Sequence, residues 1–329
     1  MSHDPTWDAA IAHFLEYLPG SISHWLILVE GPSHALISSA LRARLPSCEL
    51  VILADATAAQ IATLESRYAC CHEVGALQFF IKDGIQRYSR ESRDALRQFS
   101  AWPCSRVRLC LDVWDDNFPA LFSEPPQDVA RRCRELKAIL AGEPVLVCDS
   151  ESPARSQLEI RCGASEWVTY TGFEDFEYML PSGETACLPR SAAGTLSLDG
   201  WLVGTIPFGL KYGRVHPGDL VLRIEEREIR GVSGGRADLC RDFEQALDRL
   251  PGLRCLVELG VGQSHAVVRA AKQHPAGCLW LERRFGVHFG LGAELPETFD
   301  ADQRTTSHHL DFVLATGSLS GAREILLRW

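Results

Sequence analysis

Residues 25–55 read WLILVEGPSHALISSALRARLPSCELVILAD: an apolar run, a segment with helical spacing and a second apolar run. Apolar runs that alternate with amphipathic helical segments predict strands joined by crossover helices. The alternation continues through TAAQIATLESRYA, ALQFFIKD, SRESRDALRQFSAW, SRVRLCLDVW, PQDVARRCRELKAILAG and finally EPVLVCDS, which ends at residue 150. This order predicts a doubly wound, Rossmann-like parallel sheet, and we assign residues 1–150 to an α/β domain.

The pattern of the chain changes after residue 150. Strand-like segments and glycine turns dominate, in QLEIRCG, GTLSLDGWLVG, DLVLRIEEREIRGVSGG, CLVELGVG, FGVHFGLG and HHLDFVLATG. One helical segment, RADLCRDFEQALDRLPG, interrupts them. Residues 151–329 are therefore predicted to form a mostly antiparallel, β-rich α+β domain.

Charge and composition exclude several classes of function. The formal net charge of −10 argues against nucleic acid or an anionic membrane surface as the main partner. The N-terminal residues lack a basic stretch followed by an apolar run, and no apolar run approaches the ~20 residues of a membrane span. These features predict a cytoplasmic protein.

Two local patterns receive a structural interpretation. The EGPSH turn after the first strand lacks the glycine spacing or lysine of a phosphate-binding loop, so we interpret it as a plain β–α turn. The 12 cysteines are scattered, with no Cys-x-x-Cys pair, and several lie in strand-like runs. They are interpreted as buried small hydrophobic residues rather than as zinc ligands or a disulfide framework.

Acidic and histidine side chains in the second domain lie beside glycines at strand ends. They are Glu184, Glu258, His288, His309 and Asp311. His309 and Asp311 are two residues apart, so a strand directs both to one face, where they can bind one ion or two adjacent ions. Carboxylates and imidazoles suit Zn, Co or Mn, and two ions ~3.5–4 Å apart need a bridging carboxylate. Each residue alone also fits a solvated turn or a packing histidine.

Four segments from residue 145 onward resemble the metallo-aminopeptidase family that includes aminopeptidases T and S. YMLPSGETACLPRSAAGTLSLDG is similar to that family's N-L-P-x-G-E segment, and VELGVGQSH to its A-E-L-G-I-G-T-N segment. LERRFGVHFGLGAELPE is similar to its D-E-K…G-T-x-H-I-A-L-G segment, and TTSHHLDFV to its S-x-I-H-W-D-L-V segment. The resemblance implies metal ligands at Glu184, Glu258, Glu282, His288, His309 and Asp311, with Glu258 as the bridging or general-base carboxylate. His308 is left out because strand alternation turns it away from Asp311.

The chain departs from the family at identifiable positions. Leu295 stands where the family has a catalytic tyrosine, and loss of one such donor typically costs ~10²–10³ in rate. Gln263 and Ser264 replace a Thr-Asn pair, and the chain is shorter than its relatives. These departures favour a protein that holds a peptide over one that degrades peptides freely.

The sequence thus supports a peptide-binding protein, built on a degenerate metallo-aminopeptidase fold, that assists peptide natural-product biosynthesis in bacteria, as in crocagin-type pathways. The resemblance implies a homodimer and a site for one or two divalent ions, Zn or else Co or Mn. Five aromatic residues could line a groove, although a core position is the preferred interpretation for each: Trp167, Tyr170, Phe173, Phe176 and Tyr178. The alternatives are an active dinuclear aminopeptidase and a dimeric scaffold with an empty site.

Overall fold

A computed structural model describes residues 5–81, 90–99, 102–150, 156–173, 179–273, 277–292, 308–322 and 324–329. The chain divides into two compact units. Unit 1 comprises Met1–Ala130 and Tyr170–Ser182, and unit 2 comprises Arg131–Thr169 and Gly183–Trp329. From the sequence, we placed the domain boundary at residue 150. The first boundary between these two units lies after Ala130, and the segment Tyr170–Ser182 again belongs to unit 1.

The helices and strands follow one another as an α/β series and then a β-rich series. In chain order they are α1 Pro5–Glu16, β1 His24–Val29, α2 Ala35–Arg44, β2 Cys48–Ile52, α3 Ala58–Tyr68, β3 Val74–Phe80, α4 Arg90–Phe99, β4 Val107–Leu111, α5 Phe118–Leu121, α6 Pro126–Leu140, β5 Val145–Ser150, β6 Ser156–Arg161, β7 Val168–Tyr170, β8 Met179–Leu180, β9 Glu184–Cys187, β10 Ser191–Ser197, β11 Gly200–Gly204, α7 Phe208–Tyr212, β12 Arg214–Val215, β13 Val221–Glu225, β14 Glu228–Ser233, α8 Ala237–Arg249, β15 Leu256–Gly262, α9 His265–Gln273, β16 Gly286–Gly292, β17 His309–Leu314, β18 Ser318–Ser320 and β19 Ile325–Arg328.

Unit 1 contains the predicted parallel sheet. Its strand order is β2-β1-β3-β4-β8, and every pairing is parallel. β1 and β3 are buried along almost their whole length, as expected for central strands covered on both faces. Leu26, Leu28, Ala76 and Phe80 pack with α3 and α4 residues in one continuous core. The α/β fold class predicted for this part of the chain is confirmed.

Unit 2 contains two seven-stranded sheets. Sheet B has the order β14-β13-β10-β6-β5-β18-β19, and sheet C has the order β12-β11-β17-β16-β15-β9-β7. The pairings described within them are antiparallel. One hydrophobic core joins side chains of both sheets with the apolar face of α8, including Leu158, Leu259, Phe312 and Phe243. The predicted β-rich second part of the chain is confirmed.

Three elements, β5, α7 and α9, differ from the sequence prediction. EPVLVCDS was predicted to close the parallel series, but β5 lies in sheet B, antiparallel to β6 and β18. An isolated apolar run does not encode the direction of its partner strands, which is set here by the short connection to β6. The second part was predicted to hold one helix, and the structure adds α7 and α9. Helix α9 begins after Ser264, whose hydroxyl accepts a hydrogen bond from Val267 N.

Candidate metal centre

Four neighbouring strands of sheet C carry the predicted ligands to one face. They are β9, β15, β16 and β17, which bear Glu184, Glu258, His288, and the pair His309 and Asp311. Each of these residues faces a glycine of an adjacent strand: Glu184 faces Gly262, Glu258 and Asp311 face Gly290, His288 faces Gly260, and His309 faces Gly292. Directly opposed residues share a sheet face, so the alternation of glycine and ligand concentrates polar side chains in one place.

The side chains form two groups that share one carboxylate. In the first group, His288 Nε2 lies 2.8 Å from Glu184 Oε1 and 3.6 Å from Glu258 Oε1. In the second, His309 Nε2 lies 3.0 Å from Asp311 Oδ1 and 3.3 Å from Glu258 Oε2. The two oxygens of Glu258 therefore face different histidines. A carboxylate in this position can bridge two adjacent cations.

The glycines leave room for these side chains. A Cβ added at Gly260 would overlap His288 Nε2 and lie 2.5 Å from Glu184 Oε1. A Cβ added at Gly290 would lie 2.7 Å from His309 Cε1 and 2.9 Å from Glu258 Oε2. The GVG and GLG stretches of β15 and β16 thus form the floor of the site, a role that the sequence did not reveal.

A buried carboxylate oxygen without a hydrogen-bond partner shows that the site fits a cation. Asp311 Oδ2 is buried and accepts no hydrogen bond from the described residues. Unpartnered buried carboxylate oxygens are costly, whereas a divalent ion uses them as ligands. The donor set of carboxylates and imidazoles suits Zn, Mn or Co, and the buried cluster is therefore able to bind a metal.

The electrostatics of the shared carboxylate favour its ionised form. Burial alone would raise the pKa of Glu258, but hydrogen bonds and charge from His288 and His309 outweigh burial and hold this pKa at about 2. For His309 the effects have the opposite signs. Burial on its own would lower the pKa of this histidine, but the carboxylates of Asp311 and Glu258 raise it well above its ordinary value. Glu258 is therefore ready to bind a cation, whereas His309 must first lose a proton.

Glu282 lies beside the two groups and belongs to neither. It is buried in a short 3-10 turn, Leu279–Arg283, and its Oε1 lies 3.1 Å from Arg283 Nη2. Arg283 Nη1 also contacts Glu184 Oε2. Burial, followed by the negative charge of Asp311, raises the pKa of Glu282 well above its usual range. The sequence did not single out Arg283, although it follows Glu282 directly.

The site opens toward solvent at one histidine. The His309 side chain is 25% exposed, while those of Glu184, Glu258, His288 and Asp311 are at most 4% exposed. Thr205 fixes this rim, because its hydroxyl accepts a hydrogen bond from His309 N and donates one to His309 O. Any ligand reaching the centre from this side meets His309 first.

Other predicted residues lie elsewhere. Leu295, Phe176 and Tyr178 fall outside the described residues. Trp167 packs in the core of unit 2, Tyr170 is buried, and the exposed Phe173 stacks on Tyr17 with ring centroids 5.5 Å apart. His308 is absent from both ligand groups of the described residues, and Gln263 and Ser264 are buried.

The EGPSH turn has the local structure of an ordinary β–α connection. The first amides of α2 are already satisfied, since Leu36 N and Ile37 N each donate to the Asp115 carboxylate at 2.9 Å. A phosphate would have to displace this carboxylate. No described helix has the length and apolarity needed to cross a membrane.

Comparison with known proteins gives a likeness of fold. The chain is similar to the solved structure of 2,5-dihydroxypyridine dioxygenase from Pseudomonas putida KT2440, with a TM-score of 0.65 and 19% sequence identity. The match covers 98% of this chain and 94% of that one. No family model matches the chain, and no curated protein sequence matches it.

Proposed function

We propose that this protein is a divalent-metal protein that binds a peptide at the Glu258 centre, with a fold of the metallo-aminopeptidase type. The observation that carries the proposal is that the two oxygens of the Glu258 carboxylate face different histidines, one His288 and the other His309. Two ions can then share Glu258, one beside Glu184 and His288 and the other beside His309 and Asp311.

The surrounding charges match cations. The centre gathers four buried carboxylates, Glu184, Glu258, Glu282 and Asp311, against one permanently charged side chain, Arg283. Bound divalent ions would supply the missing positive charge and Lewis acidity toward a polar group of the ligand. Glu258, ionised at neutral pH, would hold the ions, while the exposed edge of His309 would leave room for the ligand's polar terminus.

The peptide as ligand rests on the resemblance of the four ligand-bearing segments to metallo-aminopeptidases. Leu295 in place of the family's tyrosine favours binding over turnover. A precursor peptide in bacterial peptide natural-product biosynthesis is the partner that this combination fits, and a homodimer is the expected assembly.

An active aminopeptidase is the second candidate. The observation in its favour is that both ligand groups keep a histidine and two carboxylates. The ionised Glu258 could also accept a proton from an attacking water molecule. Loss of one hydrogen-bond donor near Leu295 would slow such an enzyme without abolishing its reaction.

An oxygenase reaction is suggested by the name of the structural neighbour, but the donor groups favour it less. Non-haem Fe(II) oxygenases typically use two histidines and one carboxylate. Each described group here has one histidine and two carboxylates. Oxygen uptake by the Fe(II)-loaded protein would identify this chemistry if it occurred.

The test uses the full chain, reconstituted with Zn, Co or Mn, and a panel of peptides with free N-termini. We expect saturable binding that requires metal and is lost in Glu258→Gln. N-acetylated copies of the same peptides serve as matched probes, since an ion that holds the terminal amine cannot hold its acetyl derivative equally well.

The outcomes separate the candidates. Metal-dependent binding without loss of the N-terminal residue supports the peptide-binding protein. Cleavage by the wild type that is absent in Glu258→Gln establishes the aminopeptidase. Normal metal loading with no peptide bound at any concentration tested would overturn the assignment of a peptide ligand.

A further inference from the structure

Two cysteine thiols meet in the core on the opposite face of sheet C from the metal centre. Cys187 ends β9, the strand that begins with the candidate ligand Glu184, and Cys162 directly follows β6 of sheet B. Their sulfur atoms lie 3.2 Å apart, and both residues are buried in the core of unit 2.

Strand alternation places the thiol and the ligand on opposite faces of β9. Cys187 pairs with Leu259, a core residue, whereas Glu184 pairs with Gly262 on the ligand face. Thr185, two residues before Cys187, points to the same side as Cys187 and donates a hydrogen bond to Cys133 O of α6. The thiol pair thus joins the ends of strands from two different sheets beneath the site.

We propose that Cys162 and Cys187 form a reversible disulfide that ties β6 to β9. The sulfur atoms need to approach by about 1 Å to reach bonding distance. With a peroxide as oxidant, one thiol is first oxidised to a sulfenic acid and releases water, and the second thiol then displaces the hydroxyl as a second water. Two thiols are oxidised to one disulfide, and one peroxide is reduced to two waters. A dithiol reductant reverses the step.

Burial controls when this reaction occurs. Burial, then contact with Cys162, raises the pKa of Cys187 well above its ordinary value, so the thiolate is scarce at neutral pH. Closure is therefore expected with a small oxidant that penetrates the core and to be slow with bulky disulfides. The other cysteines provide a contrast, because Cys70 and Cys71 are exposed.

The experiment treats the full-length protein with hydrogen peroxide, quenches the reaction, alkylates it under denaturing conditions and maps the peptides by mass spectrometry. We expect a cross-linked peptide containing Cys162 and Cys187, a loss of 2 Da that dithiothreitol reverses, and a higher thermal midpoint. Cys162→Ser and Cys187→Ser should each abolish the cross-link. Cys148→Ser, a matched substitution of another buried thiol, should leave it intact.

Oxidation of Cys70 and Cys71 shows in the same sample that the peroxide has acted. If both are oxidised while Cys162 and Cys187 remain fully alkylatable, the proposal is wrong. A cross-link between either thiol and a third cysteine in the folded protein would also overturn it. Because the readout is the thiol state, the result is independent of metal or peptide binding.

Discussion

Asp311 shows at the scale of a single residue why the centre favours a bound cation. Its Oδ1 lies 3.0 Å from His309 Nε2, while its Oδ2 is buried without a hydrogen-bond partner among the described residues. Such a carboxylate destabilises a metal-free protein and stabilises a metal-loaded one.

Asp311→Asn is expected to weaken metal binding at least ~100-fold, since outer partners of metal ligands alone contribute 10–100-fold. Titration calorimetry with Zn measures the change. Asp242→Asn, the same substitution at a carboxylate paired with Lys211 on the surface, is the control and should bind metal like the wild type. Equal affinities for both variants would remove Asp311 from the ligand set.

The pKa of His309 predicts opposite pH trends for stability and for metal affinity. Because this pKa is raised in the folded state, its stabilising effect is complete below pH 6.5 and is lost as pH rises through the folded-state pKa. The raised pKa of Glu282 acts with the same sign. The metal-free protein should therefore lose stability above pH 6.5, whereas zinc affinity should increase over the same range. Urea unfolding and zinc titration across pH 6–9 test both trends, and parallel trends would contradict the account.

At the scale of elements, the strand pair β15–β16 builds the site through its glycines. Gly290→Ala should abolish metal binding, because the added methyl group would occupy the space between Glu258 and His309. Gly231→Ala, in β14, is a matched control, since its nearest neighbour would be an Arg223 side-chain atom at 3.5 Å. Circular dichroism establishes that both variants fold, and metal content gives the result. Full metal loading of folded Gly290→Ala would contradict the proposed floor of the site.

The sequence was informative about elements with strong periodicity and about candidate ligands that lie on one strand. His309 and Asp311 lie on one face of β17 as their two-residue spacing predicts, and α6 and α8 occupy their predicted segments. The position of β5 depended on long-range pairing, which a short apolar run does not encode. Arg283 was missed because its contact with Glu184 joins residues 99 positions apart in the sequence.

At the scale of the whole molecule, metal binding and folding should be linked. An ion that binds only the folded chain stabilises it by about 2.7 kcal/mol at a free concentration of 100 times the dissociation constant. Zinc should therefore raise the thermal midpoint of the wild-type protein in calorimetry. No shift, or a decrease, would show that the cluster does not select a cation in the folded state.

The homodimer is a further prediction for the whole molecule and rests on the family resemblance alone. Sedimentation equilibrium should give twice the mass of one chain, and a monomer at every concentration would contradict it.

The fold class could be predicted from the order of apolar runs. Strand-like runs alternate with helical segments in the first part of the chain, and strand-like runs with glycine turns follow in the second part. The boundaries between the units could not be predicted from the sequence. Residues 170–182 belong to unit 1, where β8 pairs with β4, and this pairing joins residues far apart in the chain.

The most direct test of the shared centre is the metal content of the purified, reconstituted protein measured by inductively coupled plasma mass spectrometry, for the wild type and for Glu258→Gln. Because the two oxygens of Glu258 serve both ligand groups, the wild type should retain one or two divalent ions per chain after desalting, and Glu258→Gln should retain almost none. A wild type without metal, or a folded Glu258→Gln that keeps its full complement, would contradict the central claim.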